Sequence, residues 1–328
     1  YRAASPPSKM DDAWTTALKN RPQDRPFFLW AAHSDPHRGD QQGPIDPPHS
    51  RDDVIVPPFL PDTPEVRDDL ALYYDEISRF DQHIGRVLAE LDRQDVASST
   101  FVLVISDNGR PFPHCKTRVH VPGVRTPFVL RWPARVAPGQ VTHRLVSTLD
   151  IAPTVLDLAG IDPLESFQGV SFSMTLADSQ APIRPFAFAE HNWHDYRAFE
   201  RAAFDEQFCY VRNWLPGTPG TPPADAVNSA TYKAMKELRA AGKLDDAQSE
   251  CFEAPRPTEF LFDVEADPDC IDNLADDPAR QATLDQMRTA LKHWQTETDD
   301  RFPGEDNLTP DGFDRDSGQR RIKAAHPS

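Results

Sequence analysis

Thr100-Phe101-Val102-Leu103-Val104-Ile105-Ser106-Asp107-Asn108-Gly109 runs from an unbroken apolar stretch into a carboxylate, an amide and a glycine. The stretch is too short for a helix and apolar on both faces, so it reads as a buried strand of a covered sheet. Upstream, Arg25-Pro26 opens a second such run, Phe27-Phe28-Leu29-Trp30-Ala31-Ala32, followed by polar residues from His33 to Arg38. Downstream, Pro127-Phe128-Val129-Leu130-Arg131 supplies a third. Between the upstream run and Thr100, Thr63-Pro64 offers an N-cap and a first-turn proline. Leu70, Tyr73, Tyr74, Ile77, Phe80, Ile84, Val87, Leu88 and Leu91 then recur at three- and four-residue spacing, which predicts an amphipathic helix over about 64–94. Strand, long helix, strand predicts a parallel crossover unit in an α/β sheet, with sites at the carboxyl ends of its strands. Two polar clusters sit at those ends, His33 to His37 and Asp107-Asn108.

The composition is that of a globular chain: 328 residues, 38% hydrophobic and 27% charged, enough to bury a substantial core. No apolar run approaches the roughly 18 residues of a membrane-spanning helix, and no charged-then-apolar leader follows Tyr1. With 35 basic against 52 acidic residues the net charge is -17, which disfavours nucleic acid and anionic membrane as partners. An anionic substrate therefore needs a local basic cluster. Cys115, Cys209, Cys251 and Cys270 form no CxxC pair, so neither a zinc knuckle nor a dense disulfide framework is indicated.

A short helix is expected over Asp150 to Leu158. From about Pro185 the pattern changes to separate short strands, Phe186 to Ala189, Phe208 to Val211 and Phe260 to Val264, with a helix around Ala279 to Trp294. The expected organisation is a catalytic α/β portion over 1–184 and a smaller α+β subdomain over 185–300. The polar stretch 301–328 has little to bury and is expected to be disordered.

Asp107 and Asn108 place two hard oxygen donors where the chain turns off a strand, which suits Ca²⁺ or Mg²⁺. The alternative is a simple Asx turn with Gly109 in a left-handed conformation. Lys116, Arg118, His120 and Arg125 make a local basic patch suited to a sulfate or phosphate group, or else a solvated loop. His37, in Asp35-Pro36-His37-Arg38, can bind the same anion or donate a proton. His191, His194 and Arg197 are candidates for a substrate-facing wall, against the alternative of a surface loop.

Together these residues resemble the sulfatases of the alkaline-phosphatase superfamily. The resemblance rests on Arg25 to Trp30 running to Asp35-Pro36-His37, on Ser106 to Gly109, on Lys116, and on Gly123-Val124-Arg125-Thr126-Pro127 running to Trp132-Pro133. Phe260-Leu261-Phe262-Asp263, Asp267-Pro268 and Asn273-Leu274-Ala275 resemble the family's closing signature. Asn108 to Pro113 and Trp294 to Thr298 look most like the heparan N-sulfatases, the N-sulfoglucosamine sulfohydrolases. The resemblance covers about 25–300. It implies an alkaline-phosphatase-like mixed sheet flanked by helices, and Ca²⁺ (or Mg²⁺) held partly by Asp107 and Asn108. Lys116 and His37 would contact the sulfate, with His120, His191, His194 and Arg197 toward a sulfated sugar or glycosaminoglycan. A periplasmic, secreted or lysosome-like setting follows from the family, and a homodimer is among the expectations.

One departure matters. A sulfatase nucleophile is a formylglycine made from Cys or Ser in a C/S-x-P-S-R motif, and no cysteine here has proline two residues on. Ser34-Asp35-Pro36-His37-Arg38 fits a loosened S-x-P-x-R pattern but lacks the second serine and sits where the family keeps its Pro-His sulfate contact. The expectation is a C-terminal portion of a sulfatase, inactive alone, with the nucleophile and the other half of the metal site in a preceding segment. A phosphodiesterase or phosphonate monoester hydrolase of the same superfamily, and a non-catalytic glycan-binding remnant, are the competing readings.

Overall fold

The computed structural model describes residues 13–38 and 45–321. Helix α1 (Ala13–Lys19) packs on α2 (Pro64–Arg93), whose Thr63 side chain accepts from the Val66 amide as an N-cap. The apolar spacing of α2 divides its buried face between two clusters. Val66, Leu70 and Ala71 meet Phe59, Phe112, Cys115 and Met235. Leu91, Val87 and Leu88 meet Leu18, Phe27, Leu29 and Val102.

Strands β1 (Val102–Ile105) and β2 (Phe128–Arg131) pair antiparallel, Val102 opposite Arg131 and Ile105 opposite Phe128. The parallel crossover expected from 27–32 through α2 to β1 does not form among the described residues. Phe27 to Ala32 carries no ladder. Phe27 and Leu29 pack against α2 and β1, whereas Phe28 and Trp30 are 76% and 79% exposed. The segment thus keeps the period of two of an extended chain, but it is apolar on both faces and covered on one.

Helix α3 (Ile151–Leu158) follows a capping box at Ser147 and Asp150. Beyond it, β3 (Ala187–Trp193), β4 (Arg197–Phe204), β5 (Phe208–Asn213) and β6 (Glu259–Asp263) form an antiparallel sheet in chain order. Helix α4 (Ala230–Ala240) lies in the β5–β6 connection and packs on α2. Helix α5 (Gln281–Glu297) seals one face of this sheet through Leu284, Met287 and Leu291 against Ala203, Tyr210 and Leu261. The opposite face, with Ala202, Cys209, Val211 and Phe262, packs on Val119 and Val121 from the loop between β1 and β2. That loop is therefore clamped by two cores: Phe112 and Cys115 enter the α2 cluster, and Val119 and Val121 enter the sheet cluster.

Strand β4 was not expected from the sequence, and the Glu190 to Arg197 segment is the hairpin joining it to β3, with a register shift between His191 and Trp193, rather than a loop. Residues 301–321 also depart from the disordered tail anticipated for them. Phe302 packs edge-on to Phe199, Asp311 accepts from the Arg197 amide at 2.8 Å, and Phe313 bridges Arg320. The end of that tail, 322–328, lies outside the described residues.

Candidate anion and metal site

Strand β1 delivers Ser106-Asp107-Asn108-Gly109 at its carboxyl end. The Asn108 side-chain amide donates to the Gly109 carbonyl at 2.7 Å, and the Gly109 amide donates to the Gly123 carbonyl at 2.8 Å. A Cβ on Gly109 would lie 2.0 Å from the Pro122 carbonyl oxygen. Glycine is needed there for close approach, not for a left-handed backbone, which removes the left-handed turn as the explanation of this tripeptide. The exposed Asp107 carboxylate and the Asn108 Oδ1 make no hydrogen bond or ion pair with a described residue, so both are available to face a cation. They fit part of the six- to eight-oxygen shell of a hard cation. Among the described residues no group of three or more His, Cys, Asp or Glu side chains completes such a shell.

Lys116 lies in the same loop, held by its amide to the Arg110 carbonyl at 3.1 Å and flanked by His114 and Thr117 at φ 68° and 70°. Its side chain is buried, and Nζ donates to Asp225 Oδ2 at 3.1 Å while standing 3.4 Å from His37 Nε2. His37 Nε2 is in turn 3.7 Å from Asp225 Oδ2. His37 Nδ1 lies 2.8 Å from the Arg38 carbonyl, so an N–H there donates to it and leaves the Nε2 lone pair toward the Lys116 ammonium. Arg38 fixes that turn: it pairs with Asp69 at 2.7 Å, donates to the Pro111 carbonyl and lies over the Phe112 ring. The structure thus brings together the two sulfate-contacting residues expected from sequence and adds Asp225, from the one-turn helix Ala224–Val227, which sequence reading did not single out.

The look-alike Ser34 to Arg38 is a structural turn. The His37 amide donates to the Ser34 carbonyl, and the buried Asp35 carboxylate is bound by Arg79 at 3.0 Å. Nor does a cysteine offer a ready nucleophile. All four are free and buried, and burial pushes the Cys115 and Cys270 thiols up to about 12.

Behind Lys116 runs a buried charge network. Arg118 pairs with Glu250 and lies 3.8 Å from Glu200; Arg256 lies 2.6 Å from Glu200 and 3.4 Å from Glu250. The His114 ring packs between those of Phe59 and His120, and its Nε2–H donates to the Asp269 carbonyl. His120 belongs to this interior, not beside Lys116. Burial first, then the cations nearby, holds it well below the ordinary histidine range, so it is neutral. His191, His194 and Arg197 do come together, lining a cavity of about 30 Å³ with Thr117, Arg118 and Glu200. Burial pushes His191 down to about 4, and its Nε2 has no hydrogen-bond partner among the described residues. His194 is exposed, with Nδ1 3.2 Å from Asp195.

Residues 8–161 match the family described as Sulfatase. The chain is 32% identical to human N-sulphoglucosamine sulphohydrolase over 84% of its own length and 62% of that protein. It is 30% identical to the ulvan-active sulfatase of Formosa agariphila over 82% of its length and 46% of that protein. The chain belongs to the sulfatase family. It spans about half to three-fifths of these curated relatives. A solved structure from a glycosaminoglycan-metabolism locus of Bacteroides thetaiotaomicron superposes with a TM-score of 0.60 at 20% identity, over 90% of this chain and 61% of that one. The Bacteroides fragilis protein yidJ gives 0.64 at 18%, over 89% and 58%. At such identities the likeness establishes the fold: a sulfatase-type, alkaline-phosphatase-like α/β arrangement, as the sequence led one to expect.

Proposed function

We propose that the protein carrying this chain hydrolyses sulfate from a sulfated glycan, and that the sulfate is the N-sulfate of glucosamine. The observation that carries this reading is the approach of Lys116 Nζ to His37 Nε2 at 3.4 Å, with Lys116 in the loop that Asp107 and Asn108 open. The N-sulfate assignment draws its support from human N-sulphoglucosamine sulphohydrolase and from the Asn108 to Pro113 and Trp294 to Thr298 segments.

In this reading Asp107 and Asn108 are two ligands of a divalent ion, Ca²⁺ or Mg²⁺, which when bound would neutralise charge on the sulfuryl oxygens. Lys116 supplies a fixed positive charge to the same oxygens, and its burial makes that charge count for more than it would in water. Asp225 holds the ammonium in place in the resting site. Lys116 hands a proton to the departing nitrogen, and His37 Nε2, whose lone pair faces the ammonium in the resting site, does so only after it has itself taken up a proton. His120 has no substrate role. None of the 328 residues offers a C/S-x-P-S-R motif, so the formylglycine nucleophile comes from chain outside them, and the chain alone does not turn over. An exported or lysosome-like setting suits a glycan substrate.

The test is an assay of the full-length gene product on glucosamine N-sulfate and an aryl sulfate side by side, with Asp107→Ala as control. Preference for the N-sulfate, lost in the variant, supports the reading. Hydrolysis of neither sinks it, and hydrolysis of a phosphodiester instead assigns the site to phosphoryl transfer.

A further inference from the structure

The cavity lined by His191, His194 and Arg197 shares a wall with the Lys116 site. Lys116 faces His37 and Asp225, while Thr117 and Arg118, next in the chain, line the cavity. Likewise Pro223 lines it, and Asp225, two residues on, binds Lys116. Asp195 ties the two together by accepting from the Ala224 amide at 2.7 Å. Successive Cα atoms are about 3.8 Å apart, so the two sites are near neighbours.

The charges lining the cavity are unequal in their partners. Arg118 and Arg256 are matched by Glu250 and Glu200, and Arg315 by Asp311 at 2.8 Å. The Arg197 guanidinium has no hydrogen-bond or carboxylate partner among the described residues. Its backbone, by contrast, is fixed at both ends, the amide donating to Asp311 and the carbonyl accepting from Arg315 at 3.0 Å. An unmatched cation on a rigid strand end stands out in a chain of net charge -17. Beside it, the Nε2 of the neutral His191 ring is buried without a partner. Both observations call for a polar group that the described residues do not supply.

We infer that Arg197, with His194 beside it, is a second anion subsite that selects glycans bearing a second acidic group, a sulfate or a carboxylate, next to the sulfate being removed. This rests on the sulfatase reading above. The cavity takes an oxygen of that group and not a sugar ring, since 30 Å³ accommodates roughly two water-sized atoms. A charge-assisted, two-donor contact of this kind is worth about tenfold or more in relative specificity.

The experiment compares kcat/KM of the full-length gene product on three probes: glucosamine N-sulfate, glucosamine N,6-disulfate, and a disaccharide of a uronic acid with glucosamine N-sulfate. The wild type is expected to favour one or both doubly acidic probes at least about tenfold, and which one it favours identifies the acid as sulfate or carboxylate. Arg197→Ala brings the ratio to about one, Arg197→Lys keeps part of it, and Arg197→Glu takes it below one. Because the guanidinium has no hydrogen-bond or carboxylate partner among the described residues, these variants should melt close to the wild type. Equal turnover of all probes, or a preference that survives Arg197→Ala, overturns the inference and leaves the sulfatase reading standing. No hydrolysis of any probe brings down both.

Discussion

Replacing Glu250 by glutamine tests whether the buried network behind Lys116 holds the two parts of the site together. Glu250 is a partner of Arg118, stands 3.4 Å from Arg256, and lies 3.6 Å from His114. Burial pushes its carboxyl up, but the Arg118 charge, the nearby His114 ring and the Arg256 charge outweigh burial and hold it well below the ordinary glutamate range. Glutamine keeps the shape and removes the charge, leaving Arg118 with Glu200 at 3.8 Å as its carboxylate neighbour. Removing one partner of a buried pair costs about 3–5 kcal/mol. The Glu250 side chain is 26% exposed, and Glu200 remains, so about 2–3 kcal/mol is the reasoned loss here. At about 2 cal/mol/K of unfolding entropy per residue, a chain of 328 residues then loses about 3–4 °C in Tm. The assay is thermal unfolding of the 328-residue chain at pH 7, with Glu253→Gln as control, since Glu253 and its partner Arg239 are both about half exposed. The control should shift by less than about 0.5 kcal/mol. The carboxyl is depressed in the folded state, so its contribution is present above the ordinary glutamate pKa and lost as pH falls through the lower folded value. The gap between wild type and variant should therefore narrow below about pH 4. A Tm shift no larger than the control's, or a gap that does not narrow in acid, would refute the network as a structural tie.

In the full-length gene product, Lys116→Met should lower kcat/KM on the preferred sulfate about 10²- to 10³-fold, the size of effect seen when a fixed transition-state donor is lost; a loss under tenfold would remove Lys116 from the anion site. His191, held down to about 4 by burial, must charge when the chain unfolds in acid, so its contribution is full above about pH 6.5 and lost as pH falls toward 4. Urea midpoints at pH 7 and 4.5 should accordingly differ less in His191→Gln than in the wild type, and an identical pH slope would contradict the burial argument. Glu259 on β6 receives both Arg288 nitrogens, at 2.8 and 2.7 Å, and the Tyr210 hydroxyl at 2.6 Å, and the Arg288 hydrogen bond first among these holds it down to about 2. Glu259→Gln should loosen α5 on its sheet by about 1 kcal/mol, read as faster amide exchange over 281–297 with α2 unaffected; uniform acceleration would mean that α5 does not open separately.

What the sequence disclosed was local, and what it hid was distant. Thr63-Pro64 and the apolar spacing after it need no partner to be recognised, and α2 begins and ends within a residue of expectation. Asp107 was readable as the polar group at a strand end and His37 as one following an apolar run, whereas Lys116 was read from the basic patch beyond Asn108 and from the family resemblance. The run at 27–32 misled for the same reason: two apolar faces imply two covers, and the described residues provide one. Strand β4, Arg197-Ala-Phe-Glu-Arg-Ala-Ala-Phe, was invisible because two charged residues, Glu200 and Arg201, stand in its middle and are buried. Their burial is tolerable because of Arg256 and Asp300, at 2.6 and 2.7 Å and far along the chain. Asp225 was hidden likewise, being joined to Lys116 across more than a hundred positions.

The strained stretch around Lys116 shows why distant packing, not local preference, sets this site. His114 and Thr117 both lie at positive φ, a region that costs a non-glycine residue about 1–3 kcal/mol. An isolated loop of this sequence would relax to another backbone and swing Lys116 away from His37. Relaxation is blocked on both sides. Phe112 and Cys115 are committed to the α2 core, Val119 and Val121 to the sheet core, and a Cβ on Gly123 would strike the Arg118 carbonyl at 2.1 Å. The two cores are thus what hold the ammonium toward His37 and Asp225. A mutation that loosens either one, such as Phe112→Ala or Val121→Ala, should weaken that hold without touching a charged group.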